Sequence, residues 1–326
     1  VAYQLAASGA GEVIVADIDP ERAASTGAKA GVGWAAIDVR DRAALAKILD
    51  GAGVVFNATG PYHLLGLGVI DAAIEQHVPY VDMLDDHEVA EAVLLDPSWD
   101  ARAKAAGVSI TMGCGIMPGL GALLTRYAYD RIEAAHTVDI RFSWNYNRAY
   151  PAAIQHFLRI NSGMAPQWLG GRYERPGAFT GRLMTEILPP VGSTEVYYTG
   201  VPDSVSIPHF LPGLRDVTAR GSFYQHEANE FLAHMIRWGM ASYEDVPGEQ
   251  SRPMEYLLRF LSSEAGARYF EVPRAELPMA IQVRVAGPDA ERRQVFPDAE
   301  SSRSSRRTGS WPLCRWSPRD APCQPS

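Results

Sequence analysis

From Glu12 to Met112 the chain alternates short apolar runs with helix-length segments, and this alternation limits its fold more than any other feature. EVIVADID (12–19), VGWAAIDV (32–39), GVVFNATGPY (53–62), VPYVDML (78–84) and VSITM (108–112) read as strands, each a brief apolar run rich in β-branched residues. Between them PERAASTGAK (20–29), DRAALAKIL (41–49), HLLGLGVIDAAIEQH (63–77), HEVAEAVLLD (87–96) and SWDARAKAAG (98–107) read as helices, the first opened by a proline in its first turn. VAYQLAASGA (1–10) precedes them as a helix closed by Gly9. Strand and helix units at this spacing imply parallel pairing through right-handed crossovers.

The alternation stops at GCGIMPGLG (113–121), between VSITM and the helix-like LLTRYAYDRI. A buried strand delivered into a Pro-Gly helix start leaves unpaired backbone N–H groups at the sheet's carboxyl end, where open α/β sheets hold their ligands. The stretch is therefore expected to be the seam between a first domain over 1–122 and a second over 123–290. A tight connection built from glycine explains the same residues equally well.

Composition narrows the partners. With 326 residues, 47% of them hydrophobic, the chain is long enough for about two domains. A formal charge of −8 argues against nucleic acid or an anionic membrane as partner, because both require a basic face. No apolar run approaches the ~20 residues of a membrane span, and no secretory signal is present. Cys114, Cys314 and Cys323 are too few and too scattered for a disulfide framework or a metal cluster, so no metal is expected and a reducing cytoplasm is the expected setting.

In a Rossmann unit a strand and a G-x-G-x-x-G turn come first, and an acid closing the second strand binds the adenosine ribose. Here the helix (1–10) and the strand ending in Asp17 are present without that first strand, and the chain starts at Val1; the expectation is an α/β, Rossmann-like doubly wound parallel sheet lacking its first strand and glycine turn. Asp17, followed by Ile18, would accept bonds from the ribose hydroxyls and repel a 2′-phosphate, which favours NAD; Arg22 nearby would suit NADP. Asn57, Ala58, Thr59 and Gly60 form a turn of small residues over which a cofactor backbone can approach, although an ordinary structural turn has the same composition.

EVIVADIDPERA, the strand ending VFNATGPY, YVDMLDD and GCGIMPGLGALL resemble the amino-terminal domain of the saccharopine dehydrogenase family. RFSWN (141–145) and PVGSTEVYYTGVPDSVSIPHFLPGLRDV resemble its second domain, so the likeness runs to about Val285. It implies an oxidoreductase using NAD or NADP, acting at a carbon–nitrogen bond of a small amino acid or amine. It also places Asp38 and Val39 beside the adenine and makes a homodimer the expected assembly. A non-catalytic dinucleotide-binding or dimerisation protein, or an inactive fragment, is the alternative.

Hydride transfer asks the protein to orient two reactants and manage one proton. Proton carriers are sought in YVDMLDDHE, which holds Tyr80, Asp82, Asp85, Asp86 and His87. Asp82, at a strand end facing the crevice, is the first choice as catalytic residue. His87 has a suitable ordinary pKa, though an exposed histidine at a helix start is its plainer description. Tyr62, Cys114, Arg141 and Trp144 are the candidate substrate residues: Arg141 as a carboxylate clamp, Trp144 as a pocket wall or core residue, and Cys114 as a helix-start thiol or a small buried residue.

The second domain is expected to be α+β with a mixed or antiparallel sheet. Strands are read at HTVDIRFSWNY, FTGRLMTEIL, TEVYYTG, LRDVTARGSF and PMAIQVRVAG; helices are read at PAAIQHFLRINSG, EANEFLAHMIRWGM and MEYLLRFLSSEAG. From Glu291 a Ser-, Arg- and Pro-rich tail without periodicity (291–326) reads as disordered or frame-shifted.

Overall fold

The computed structural model describes residues 1–9, 11–144, 151–187, 191–269 and 280–288. The expected tail therefore lies outside the described residues. The first region comprises α1 (Ala2–Ser8), β1 (Ile14–Asp17), α2 (Pro20–Ala30), β2 (Gly33–Ala36), α3 (Arg42–Leu49), β3 (Val55–Asn57), α4 (Tyr62–Glu75), β4 (Tyr80–Asp82), α5 (His87–Leu94), α6 (Pro97–Ala106) and β5 (Ile110–Thr111). After the seam come α7 (Leu120–Tyr129), β6 (Thr137–Trp144), α8 (Pro151–Ile160), β7 (Gln167–Leu169), β8 (Arg172–Glu174), β9 (Leu183–Ile187), β10 (Gly192–Tyr198), α9 (Asp203–Phe210), β11 (Asp216–Phe223), α10 (His226–Arg237), α11 (Pro253–Ser262), α12 (Glu264–Tyr269) and β12 (Ala280–Ala286).

Local chemistry explains the helix boundaries. Asp19, Asp41 and Asp96 each turn a carboxylate oxygen to free N–H groups of the first turn, and Pro20 and Pro97 occupy positions whose N–H would be unpaired in any case. Gly31 and Gly107 close α2 and α6 in the left-handed region.

All five strands of the first region pair in parallel, as the alternation predicts, but in two ladders rather than one. β1 pairs with β2, and β3, β4 and β5 form a second ladder in that order. The main core of this region lies over the second ladder, where Ile70, Val78, Tyr80, Leu84, Val89 and Ala90 are buried together.

The second region is built on a mixed sheet ordered β12-β6-β11-β10-β9, with β7 paired to β11 and β8 paired to β7. β6 and β11 are parallel and the remaining pairs antiparallel. Strand alternation puts Val138, Ile140, Val217, Ile281 and Val283 on one face, where they pack with Ile207 and Leu211 of α9 and with Ala122 of α7. Phe223 and Tyr197, on the same face, pack with residues of α8, α10 and α11. The opposite face carries Asp139, Arg141, Thr218, Arg220 and Gln282. Sequence reading missed α9 and the β7–β8 hairpin: α9 contains Pro208, and the hairpin strands are three residues each.

The seam depends on one glycine. Gly119 has φ 126, and a Cβ there would lie 2.2 Å from the Gly115 carbonyl oxygen and 2.7 Å from that of Gly113. The nearer oxygen is held in place, because the Gly115 carbonyl accepts the Leu120 N–H at 3.0 Å. Gly119→Ala should therefore cost more than about 3 kcal/mol of unfolding free energy by denaturant titration; a loss below about 1 kcal/mol would show that the seam relaxes freely.

Candidate functional site

The carboxyl ends of β3, β4 and β5 deliver three loops to one place, and Asp82 ties them together. Its Oδ1 accepts the N–H groups of Leu84 at 3.0 Å and of Gly113 at 2.6 Å, while Oδ2 accepts the Tyr80 hydroxyl at 2.8 Å. The Tyr80 oxygen in turn accepts Asn57 Nδ2 at 2.9 Å, and the Asp82 carbonyl accepts the Cys114 N–H at 2.8 Å. Asp82 is fully buried, and burial pushes its carboxyl above the ordinary carboxylate range against the pull of these donors. Its carboxylate is thus occupied in holding the loops rather than turned into the crevice.

The turn after β3 is held from within. Asn57 Oδ1 accepts the Thr59 N–H at 2.9 Å, and the Tyr62 hydroxyl donates to the Asn57 carbonyl at 3.0 Å. Tyr62 is buried, and burial together with the Asp82 charge pushes its hydroxyl pKa up. Ala58 and Gly60 are exposed, leaving an open backbone surface on this turn. Met83, Ile116 and Leu120, from the same set of loops and the start of α7, are exposed apolar side chains.

A charged cluster lies beside these loops. Asp86 is buried; its Oδ2 accepts the His63 N–H at 2.7 Å and faces the His63 ring Nδ1 at 3.0 Å. His156, carried by α8 of the second region, turns Nδ1 to Asp86 Oδ1 at 3.2 Å and Nε2 to Asp85 Oδ2 at 2.9 Å. The donor atoms of Asp85, Asp86 and His156 lie within 4.8 Å of one another. Both imidazole nitrogens face carboxylates, which is the arrangement of a protonated ring. Burial opposes that charge, but the two aspartates outweigh it and hold the His156 pKa at about 9; His156, after the cost of its own burial, draws Asp86 well below the usual carboxylate range.

Two further ion pairs run along α5. Glu88 Oε1 accepts Arg159 Nη2 at 2.6 Å, and Glu91 accepts Arg175 Nη1 at 3.1 Å and pairs with its Nη2 as well. Glu91 Oε1 also faces His87 Nδ1 at 3.1 Å, and against the cost of burial these partners lower the Glu91 pKa to about 2. The expectation of an exposed His87 is corrected: the ring is buried under Gly200, where a Cβ would come within 2.8 Å of it.

The remaining predicted residues scatter. Cys114, expected to be small and buried, is exposed; partial desolvation and the Asp82 charge raise its thiol pKa, so the helix start does not activate it. Arg141 is buried on the far face of the second sheet, bonded to Asp139 and Thr185. Trp144 packs against Phe157 and Phe223 on the helix-covered face. Neither joins the loops around Asp82. His63 and His156 were missed: each sits in an apolar helical segment, and only the tertiary fold brings them to Asp86.

At the end of β1, Asp17 uses Oδ1 for the Asp19 N–H at 3.0 Å and leaves Oδ2 facing Arg22 Nη1 at 3.9 Å. Ile18 is exposed beside it. An acid with one oxygen available and a guanidinium alongside fits the ribose and 2′ position of a nicotinamide dinucleotide. At the end of β2, Asp38 is committed to Arg40, which lowers its pKa to about 2, and Val39 is packed into the core.

The saccharopine dehydrogenase NADP binding domain profile matches residues 1–111. A carboxyaminopropylagmatine dehydrogenase from Synechocystis is 24% identical over 251 residues, covering 71% of this chain and 60% of that protein. A lipid droplet localized protein of Caenorhabditis elegans is 35% identical over 78 residues, 24% of this chain. Apo saccharopine dehydrogenase (L-Glu forming) from Saccharomyces cerevisiae shares the fold with a TM-score of 0.55 at 18% identity, over 74% of this chain and 56% of that one. The chain thus spans somewhat over half the length of these full-length dehydrogenases. Among the described residues no helix is long and apolar enough to cross a membrane. Its first third thus resembles a saccharopine dehydrogenase NADP binding domain, and the chain shares the fold of the yeast enzyme.

Proposed function

We propose that the protein is an NADP-dependent oxidoreductase that transfers hydride at a carbon bearing nitrogen in a small amino acid or amine. The observation that carries this reading is the convergence of the loops after β3, β4 and β5 on Asp82, in a chain whose first 111 residues match an NADP-binding domain. Bound nicotinamide would supply or accept the hydride. Asp17 would hold the ribose, Arg22 would meet the 2′-phosphate, and Ile18 would lie against the adenine. The exposed backbone of Ala58 and Gly60 would let the cofactor approach the turn after β3. Asp82 acts by fixing the loops, and Tyr62 by bracing Asn57 from beneath. A cytoplasmic homodimer is the assembly and setting that fit this reading.

Arg22 decides between the two cofactors. Titration with NADPH and NADH should show tighter NADPH binding, and Arg22→Ala should weaken NADPH about tenfold or more while leaving NADH unchanged. Tighter NADH binding by the parent would reverse the assignment to Asp17 acting alone. Failure to bind either from a cooperatively folded sample would remove the oxidoreductase reading for this chain.

A further inference from the structure

We propose that Asp85 exchanges a proton with the substrate nitrogen in the crevice, and that His156, held between Asp85 and Asp86, is the positioning residue that stores this proton. The inference rests on the oxidoreductase reading; it selects Asp85 from the carriers sought in YVDMLDDHE and adds His156, which the sequence did not single out.

The geometry separates an inner and an outer carboxylate. Asp86 has 3% side-chain exposure and is filled by the His63 N–H, the His63 ring and the His156 ring. Asp85 has 37% side-chain exposure and meets the cluster through one oxygen, Oδ2, leaving the rest of its carboxylate toward solvent. His156 bridges the two, with Nε2 toward the more exposed Asp85 and Nδ1 toward the buried Asp86, so the proton on Nε2 is the one with a path outward. The other charged groups nearby are matched elsewhere: Glu88 by Arg159, and Glu91 by Arg175 and His87. His63, on α4, faces Asp86 and not the outer carboxylate.

The chemistry balances without another reactant beyond the reduced nicotinamide of the proposed function. Reducing an imine adds a hydride to carbon and moves the C=N pair onto nitrogen, which must take a proton. The His156 Nε2–H bond breaks as an O–H bond forms on Asp85; that O–H bond breaks as the substrate N–H bond forms. His156 ends neutral and Asp85 ends as carboxylate. In the oxidative direction the proton returns by the same bonds. A positioned acid or base of this kind contributes roughly 100-fold or more to rate.

The test combines histidine NMR with turnover. In the parent, His156 should titrate near pH 9, and Asp85→Asn should pull that titration down toward ordinary histidine. With NADPH, pyruvate and putrescine as the imine-forming pair, Asp85→Asn should lower kcat by about 100-fold at unchanged KM for NADPH. His156→Gln should shift or remove the alkaline limb of the pH profile. Glu88→Gln, which breaks the neighbouring pair to Arg159, should leave that profile in place and controls for loss of the α5 contact. An ordinary His156 titration insensitive to Asp85, or a parental profile in Asp85→Asn, overturns the assignment while leaving the oxidoreductase reading standing. Absence of turnover in the parent overturns both.

Discussion

Asp203→Asn should stabilise the protein at pH 8 by about 3 to 4 kcal/mol and flatten a stability profile that in the parent declines between pH 4 and 7. Asp203 opens α9 with no exposed surface, and neither carboxylate oxygen has a hydrogen-bond partner among the described residues. Gly121 is packed so closely that a Cβ there would lie 2.9 Å from Oδ1. Burial raises the Asp203 pKa to about 7, and its own N–H offsets only part of this. The native state keeps the proton up to that pH, whereas the unfolded chain releases it near its ordinary value of 3.8. Between the two the native state binds more protons, so unfolding free energy falls as pH rises, by about 1.4 kcal/mol per unit at most. Asparagine cannot ionise and should escape that decline. Urea titrations of both proteins at pH 4.5 and pH 8 decide the matter: equal changes in parent and variant would mean that Asp203 is ionised and solvated in the native state.

Asp82→Ala should be the most damaging single change at the site, costing about 3 to 5 kcal/mol. It strands two backbone N–H groups, from Leu84 and Gly113, and the Tyr80 hydroxyl, all in the interior. Because those donors belong to different loops, the loss should appear in cofactor affinity as well as stability. Asp82→Asn, which keeps one acceptor, should lie between the parent and the alanine variant. An alanine variant with parental stability but no turnover would show that Asp82 acts on the substrate and not as the tie between loops.

The first region was legible because its signals are local: a proline or an acid opens a helix, a glycine closes it, and a brief apolar run lies between. The strand read at 32–39 shortened to Gly33–Ala36, because Asp38 turns to Arg40 at its end. The site was legible only in part. Asp82 and the turn at Asn57 sit at strand ends, which periodicity locates. The partners of Asp86 come from 23 residues before it and 70 residues after it, separations over which no sequence spacing rule operates. Arg141 illustrates the converse. Its residue type suits a carboxylate clamp, but strand alternation turns it to the face opposite the helices, where Asp139 and Thr185 take its donors.

The ladder of β1 and β2 holds Asp17, yet Ala23 is the one apolar side chain before Ile37 among the buried core residues; Ile14 and Trp34 are more than half exposed. So small a packed unit opens at little free-energy cost, which places it among the first segments to exchange amide hydrogens. Part of any dinucleotide's binding free energy would then be spent on ordering this unit. Its measured dissociation constant would exceed the intrinsic one by the inverse of the ordered fraction. Affinity for the cofactor would be governed by the packing beneath the carboxylate as much as by the carboxylate itself.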